Sequence, residues 1–300
     1  MNKKLILLLL LLGHGVLVQA EPDGGALHLR SDQKLTGTVI KYTSAPKLHS
    51  AVALIYDEQE QRPLYSKNAD TVVPIASITK LMTAMVVLDA QLPMEEEIRI
   101  GVEDLDMLKG TRSRIRMGVV LTRGELLKLA LMASENRAAA ALARTFPGGV
   151  SAAVAKMNAK ARELGMRNTF FRDATGLSSG NVSTARDLVK MMQAAQSYEP
   201  IHQFTTSSSH IVEQSGRRSL HFGNTNPLVK SASWDIGVSK TGYISEAGRC
   251  LVMAAKITQR KVIIVLLDSW GKRTRVGDAN RVKKWMENAY ARETRNTKRG

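Results

Sequence analysis

The chain has 300 residues, of which 44% are hydrophobic and 5% aromatic, and 43 Lys and Arg against 27 Asp and Glu give a net charge of +16. This is an ordinary globular composition, long enough for one large domain or two modest ones. The charge indicates an anionic partner. Because no basic motif is interleaved with aromatic residues and no zinc-finger spacing occurs, we expect no nucleic acid and favour a polyanionic cell-wall polymer.

Residues 1–20 have the pattern of a secretory signal peptide. Two lysines precede the uninterrupted apolar run Leu5–Leu12, and small residues lead to a predicted cleavage site after Ala20. The run is too short to span a bilayer, so we expect an exported protein with no transmembrane anchor after cleavage. Residues 21–47 are polar and are predicted to form a loosely held N-terminal arm.

A hairpin and a helix are predicted to follow the arm. The runs Ser50–Asp57 and Pro63–Ser66 flank a polar turn and are typical of two strands. The apolar segment Pro74–Asp89 predicts a buried helix. Because proline disfavours helical geometry in the residue before it, this helix begins at or just after Pro74.

Ser77 and Lys80 lie in the first turn of that helix and, being three residues apart, share a face. An uncharged amine within hydrogen-bond reach can accept the proton of a serine hydroxyl, so the pair is a candidate nucleophile and base. The same Ser-x-x-Lys spacing occurs at residues 31–34 and 44–47, but neither stands at the head of an apolar helix. The alternative is an ordinary helix-start serine beside a lysine that extends into solvent.

The middle of the chain is predicted to be mostly helical. Two threonines, each with an acidic residue three positions later (Thr122–Glu125 and Thr184–Asp187), form capping boxes at helix starts. Short strands are predicted at Glu97–Ile100 and Arg114–Met117, whereas residues 202–235 show no clear pattern. The predicted helices are Leu126–Met132, Arg137–Thr145, Ser151–Leu164 and the segment from Thr184 to Gln196.

Strands return near the C-terminus and are followed by a helix and, at residues 291–300, by a predicted basic disordered tail. Strands at both ends of a helical middle predict an α/β (α+β) fold with one antiparallel sheet covered by helices. Cys250 is the only cysteine and is expected to be a buried structural thiol. The histidines show no metal-ligand spacing, and we expect neither a metal nor another cofactor. The predicted elements are strands Gly237–Tyr243, Arg249–Ile257 and Lys261–Leu267 and helix Asp278–Tyr290.

Two more motifs follow Ser77 in the chain: Ser134-x-Asn136 and Lys240-Thr-Gly. The three motifs in this order are the set shared by penicillin-binding proteins and class A β-lactamases. Ser77 would form an acyl-enzyme, Ser134 would pass a proton to the leaving amine, and Asn136 would hold Lys80 and the substrate amide.

Lys80 can act as a base only if it is neutral for part of the time. Lowering its pKa from about 10.4 to around 7 costs on the order of 4–5 kcal/mol. Desolvation and the charge of Lys240 are expected to supply this lowering.

Lys240, Thr241, Gly242 and Tyr243 are the candidate substrate-binding residues. The N–H groups of Ser77, unpaired at a helix start, and of Tyr243 are expected to stabilise an oxyanion. Gly242, which has no side chain, would let substrate backbone pair alongside its strand.

Longer stretches carry a resemblance as well. The chain resembles the low-molecular-mass penicillin-binding proteins, serine D,D-peptidases of the D-alanyl-D-alanine carboxypeptidase and endopeptidase group. The similarity covers roughly residues 48–288, and the middle motif is Ser-Glu-Asn instead of Ser-Asp-Asn, a change at its variable position. The similar stretches are Pro74–Ala90, Leu129–Ala140, Thr175–Leu177, Asn181–Leu188 and Lys240–Met253.

The resemblance implies a β-lactamase/transpeptidase-like fold over residues 48–290, with a five-stranded antiparallel sheet and a mainly helical lobe. It implies an endopeptidase that cleaves D-alanyl–diaminopimelyl cross-links of peptidoglycan, with Ser77 as the acyl site, Lys80 as the base, a second catalytic role for Ser134 and substrate binding by Lys240. The expected partners are peptidoglycan stem peptides, β-lactam antibiotics as covalent inhibitors, and other wall enzymes.

Three alternatives remain. A D-alanyl-D-alanine carboxypeptidase would use the same residues. The short segment after Lys240 favours an endopeptidase instead. We expect this endopeptidase to be in the periplasm, either soluble or loosely associated with the wall or membrane. A β-lactamase needs a glutamate-held water, and no glutamate occurs between Gly165 and Tyr198. A non-hydrolytic wall-binding module or penicillin sensor would use Lys240 and its basic surface only to hold stem peptides. Arg273 and Arg275 are the candidates for binding a substrate carboxylate.

Overall fold

The computed structural model describes residue 42 and residues 44–214 and 218–297. The predicted signal peptide and most of the predicted arm therefore lie outside the described residues. None of the described helices is both long enough and apolar enough to cross a membrane.

Strands are numbered here in chain order along the described residues. They are β1 (Val52–Asp57), β2 (Arg62–Lys67), β3 (Val73–Pro74), β4 (Glu97–Arg99), β5 (Val120–Thr122), β6 (Val182–Ser183), β7 (Ser209–Gln214), β8 (Arg218–Gly223), β9 (Asp235–Ile244), β10 (Gly248–Ile257) and β11 (Arg260–Ser269). The helices are α1 (Thr79–Asp89), α2 (Arg123–Met132), α3 (Asn136–Arg144), α4 (Gly149–Glu163), α5 (Ala185–Ala195), α6 (Glu199–Thr206) and α7 (Thr274–Thr297).

Five strands form one antiparallel sheet in the order β2-β1-β11-β10-β9. The first strand of the described chain is paired with the last, with Val52 opposite Leu267. On the other side of the sheet, Lys240 of β9 lies opposite Val252 of β10. The predicted five-stranded antiparallel sheet, built from both ends of the chain, is confirmed.

The sheet separates two apolar cores. Along β11, Ile263 and Val265 pack toward the helical lobe, whereas Ile264 and Leu266 pack toward α7 and its Met286. Alternate side chains of a strand point to opposite faces, so a strand covered on both faces needs apolar residues at successive positions. This double burial is the reason that β11 has a continuous apolar run.

Two predictions are wrong. β4 pairs with β5, and the predicted strand does not form at Arg114–Met117. The latter segment is held by side chains: Ile115 is buried, and the Arg114 guanidinium lies over the ring of Phe222. The predicted disordered tail is wrong for residues 291–297, because α7 continues through Thr297.

The extension of α7 has a simple physical reason. Ala291, Arg292 and Glu293 are good helix formers, and basic residues near a helix C-terminus interact favourably with the helix dipole. Arg295 lies in this last turn, and its Nε donates to the Ala291 carbonyl at 3.1 Å.

Candidate active site

Ser77 lies in a short 3₁₀ turn, Ala76–Ile78, that leads directly into α1. The turn is tightly enclosed, and Ala76 has a positive φ of 48°. A Cβ added to Gly176 would lie 2.1 Å from the Ala76 carbonyl oxygen, and one added to Gly242 would lie 3.1 Å from the Ser77 nitrogen. Because Gly176 and Gly242 have no side chain, the backbone at both positions can pack closely against the serine turn.

Lys80 is buried at the start of α1, and its Nζ donates to three oxygens. These are Ser77 Oγ at 2.8 Å, Asn136 Oδ1 at 2.7 Å and the Thr175 carbonyl at 2.6 Å. The last two can only accept. A neutral amine has two N–H groups and one lone pair, so once both N–H groups are directed to those acceptors the lone pair faces the Ser77 hydroxyl. The geometry suits proton transfer from Ser77 to Lys80.

The orientation of the Asn136 amide follows from a further chain of hydrogen bonds. Its Nδ2 donates to Thr111 Oγ1 at 3.0 Å, and Thr111 Oγ1 donates to Asp106 Oδ2 at 2.6 Å. Because the threonine proton is used on the carboxylate, the hydroxyl can only accept from Asn136, and the amide oxygen must face Lys80. Sequence reasoning missed both Thr111 and Asp106, which lie in a charged loop with no motif.

Ser134 and Lys240 form a second pair. Lys240 Nζ donates to Ser134 Oγ at 2.8 Å and to the Thr241 carbonyl at 2.8 Å. Ser134 has a positive φ of 60°, a conformation that is uncommon for serine and often marks a functional turn. Thr241 Oγ1 in turn donates to Thr225 Oγ1 at 2.6 Å. The structure thus brings together the three motifs predicted from the sequence.

Gly242 and Tyr243 lie on β9, the last strand in the sheet order. The missing Cβ of Gly242 faces Ile75 and the serine turn, where a Cβ would be 2.9 Å from the Ile75 carbonyl oxygen. The glycine therefore allows β9 to approach Ser77. That Gly242 also lets a substrate backbone pair alongside its strand stays a prediction. Tyr243 is 55% exposed, with the Arg249 guanidinium 4.5 Å from the centre of its ring.

Comparison with known proteins identifies the family. Residues 40–271 match the model of the family described as D-alanyl-D-alanine carboxypeptidase. The chain belongs to the D-alanyl-D-alanine carboxypeptidase family. This confirms the resemblance read from the sequence.

Two relatives in this family are named D-alanyl-D-alanine endopeptidase. The one from Pseudomonas aeruginosa is 48% identical over 242 residues, covering 80% of this chain and 78% of the relative. The one from Escherichia coli is 46% identical over 245 residues, covering 81% and 79%. The crystal structure of the Streptomyces K15 DD-transpeptidase matches with a TM-score of 0.74 at 28% identity, covering 83% of this chain and 99% of that one.

Burial lowers the pKa values of the two lysines in the site, Lys80 and Lys240. It lowers the pKa of Lys80 to about 7, although the carboxylates of Asp173, Glu135 and Asp106 oppose the change. Burial also lowers the pKa of Lys240 well below its ordinary value, and the charges of Lys80 and Arg275 add to this lowering. The prediction that desolvation lowers the pKa of Lys80 is confirmed, but the predicted contribution of Lys240 is wrong, because the charge of Lys240 is not among the causes of that lowering.

Two further groups contact the site. The Thr175 carbonyl was not recognised as a Lys80 acceptor in the sequence, although the Thr175–Leu177 stretch carried part of the family resemblance. Of the two candidate arginines, Arg275 reaches the site, donating from Nη1 to the Gly242 carbonyl at 2.9 Å. Arg273 is exposed on the surface.

Proposed function

We propose that this protein is a serine D,D-endopeptidase that hydrolyses D-alanyl–diaminopimelyl cross-links of peptidoglycan through an acyl-enzyme on Ser77. The observation that carries the proposal is the contact between Lys80 Nζ and Ser77 Oγ at 2.8 Å, with the other two lysine contacts made to pure acceptors. The near-half identity to two named endopeptidases supports this substrate class.

Acylation begins when neutral Lys80 accepts the Ser77 proton as Oγ attacks the amide carbonyl carbon. The backbone N–H groups of Ser77 and Tyr243 stabilise the oxyanion of the tetrahedral intermediate. Ser134, held by Lys240, passes its proton to the leaving nitrogen as the C–N bond breaks, and the proton that Lys80 took from Ser77 replaces it, so that Lys80 is neutral again. Water then attacks the acyl ester and regenerates Ser77, so one difficult hydrolysis becomes two easier steps.

Binding of the substrate uses the positive groups around β9. Asn136 and the β9 backbone receive the amide of the acyl half. Arg275, beside Gly242, is the group that meets the carboxylate of the leaving residue, because a guanidinium pairs a carboxylate in two parallel hydrogen bonds. With Thr241, Lys240 and Arg275 the site suits an anionic peptide.

Mass spectrometry after treatment with labelled penicillin tests the nucleophile. We expect a single modified serine, Ser77, and no adduct in Ser77→Ala. The matched control is Ser44→Ala, which removes the serine of another Ser-x-x-Lys sequence and should keep the adduct. Modification of any other serine contradicts the proposal.

Digestion of cross-linked muropeptide dimers tests the reaction. The endopeptidase converts dimers to monomers. Release of terminal D-alanine from intact dimers would replace it with the carboxypeptidase that the family description names. A binding protein would yield neither product. A β-lactamase would lose the penicillin adduct rapidly, whereas we expect a slow loss, because no described hydrogen bond of Lys80 involves a carboxylate that could hold a water.

We further propose a periplasmic protein that adheres to the anionic wall and to other wall enzymes. The net charge of +16 supports this. Binding of Ser77→Ala to isolated sacculi should weaken as salt is raised from about 0.01 M to about 1 M, since exposed charges are screened over this range. Binding that does not depend on salt contradicts a charge-based adhesion.

A further inference from the structure

A groove of about 300 Å³ opens beside the site, between the end of β9 and the segment that joins β11 to α7. Tyr243, Arg249, Trp270 and Lys272 are among the residues that line it. None of the steps proposed above uses the side chains of these residues. The groove nonetheless adjoins the site along β9, because Tyr243, which lines it, directly follows Gly242 in that strand.

The lining of the groove combines exposed aromatic surface with positive charge. Trp270 is 86% exposed, an unusual state for tryptophan. Arg249 stacks on Tyr243, and Lys272 is exposed. Asp268 is the one acidic residue among those that line the groove. Its Oδ1 lies close to the backbone of Gly248, so that a Cβ added to Gly248 would be 2.5 Å from this oxygen. The groove therefore offers cations and ring faces to an anionic peptide.

Its position relative to the scissile bond follows from Arg275. That guanidinium donates to the Gly242 carbonyl and is proposed to bind the carboxylate of the leaving residue. Tyr243, the residue after Gly242 in β9, lines the groove. The groove thus lies on the leaving-group side of the bond.

We propose that this groove binds the second stem peptide of a cross-linked substrate, the one that cleavage releases, through its carboxylates and backbone. The inference rests on the proposed endopeptidase function and extends it to specificity. A terminal D-alanine has no residues beyond the leaving group, whereas a cross-link carries a whole peptide there. Occupation of the groove therefore favours dimers over monomers.

Steady-state kinetics on purified muropeptide dimers test the groove in Trp270→Ala and in the double variant Arg249→Gln/Lys272→Gln. We expect KM for dimers to rise about tenfold in each, which corresponds to a loss of about 1.4 kcal/mol of binding free energy, with kcat within about twofold of the parent. Acylation by a small penicillin, which has no second stem, should also stay within about twofold. The matched controls are Lys156→Gln in α4 and Tyr290→Ala in α7. Tyr290 lies about 24 Å along the helix axis from Thr274, the first residue of α7.

A binding measurement complements the kinetics. In the Ser77→Ala background, dimer but not monomeric tetrapeptide should change the tryptophan fluorescence, and Trp270→Phe should abolish the change. An unaltered KM for dimers in both groove variants, or equal losses with the controls, overturns the inference while the parent still cleaves dimers. If the parent leaves dimers intact, the proposed function itself fails.

Discussion

At the scale of single residues, Lys80 carries two conflicting demands. Burial favours the neutral amine, yet its three oxygen contacts suit an ammonium group. Burial, opposed by the carboxylates of Asp173, Glu135 and Asp106, lowers the pKa to about 7, which leaves a large fraction of the amine neutral near pH 7. The residue is therefore poised to gain and lose a proton during each turnover.

The pH dependence of acylation should follow Lys80. Because the base is the neutral form, the rate of penicillin acylation is expected to rise as pH rises through about 7, and to fall about tenfold per pH unit below it. Stopped-flow measurements between about pH 5 and 9 check this. Lys80→Arg, which stays protonated, should acylate negligibly throughout. A flat profile in the parent would rule out Lys80 as the titrating base.

Thr111 is expected to position Asn136 without touching substrate. Thr111→Val leaves the Asn136 amide without its acceptor and frees it to rotate, so the acylation rate should fall about tenfold or more. The pH midpoint should shift as well, because the amide oxygen no longer faces Lys80. Thr111→Ser keeps the hydroxyl and should restore both properties. A Val variant with the parental rate and midpoint would exclude the role.

At the scale of elements, the serine turn depends on a neighbour that has no side chain. Gly176→Ala would place a Cβ 2.1 Å from the Ala76 carbonyl oxygen at a φ of +83°. Gly118→Ala has almost the same φ, +81°, but nothing within 4 Å. We expect Gly118→Ala to cost about 1 kcal/mol, and Gly176→Ala to cost roughly 3 kcal/mol or more and to abolish acylation. Denaturant unfolding with penicillin binding checks both, and equal costs would contradict the steric explanation.

Helix starts that are capped by residues close to them in the sequence could be predicted from the sequence. The box at α2 is reciprocal, with Glu125 N donating to Thr122 Oγ1 at 3.1 Å and Thr122 N donating to Glu125 Oε2 at 2.9 Å. At α5 only the threonine half forms. The Asp187 carboxylate instead accepts from Asn168 N at 2.8 Å, a partner far away in the sequence.

The residues of the candidate site likewise divide into those that short sequence motifs predict and those that depend on contacts between distant segments. Ser77 and Lys80 share a helix turn, and the other two motifs are recognisable as short strings. The Asp106–Thr111–Asn136 chain could not be predicted, because it depends on how a loop without periodicity folds over α3. The hairpin β7–β8 was missed as well, since its Ser- and His-containing strands alternate weakly.

At the scale of the whole molecule, α7 connects to the start of the described chain through Asp278. This buried carboxylate accepts from Ser50 N at 2.7 Å, Ser50 Oγ at 2.6 Å and His49 N at 3.1 Å, and it pairs with Arg281. Burial alone would raise the pKa of Asp278, but hydrogen bonds from Ser50, His49 and Arg281 outweigh it and the pKa is lowered. The charged form is thus the one that joins the two ends.

Asp278→Asn should destabilise the protein by about 2–3 kcal/mol near neutral pH, since it removes charge-assisted hydrogen bonds. A lowered folded-state pKa means that the stabilisation is present above the unfolded value of about 3.9 and is lost as pH falls through the folded one. The difference from the parent should therefore shrink below about pH 4. Urea denaturation at several pH values measures it. The exposed Asp70→Asn should change stability little, and a pH-independent loss in Asp278→Asn would contradict the charge argument.

The pairing of β1 with β11 also determines when the protein can fold. A ribosome makes β1, the serine turn and the helical lobe first, yet β1 lacks its neighbour until almost the entire polypeptide exists. Contacts so remote in sequence form slowly. Synthesis that stops before β9 would leave a nascent chain in which the serine turn lacks the strand that Gly242 packs against it, and in which an unpaired strand edge is open to aggregation.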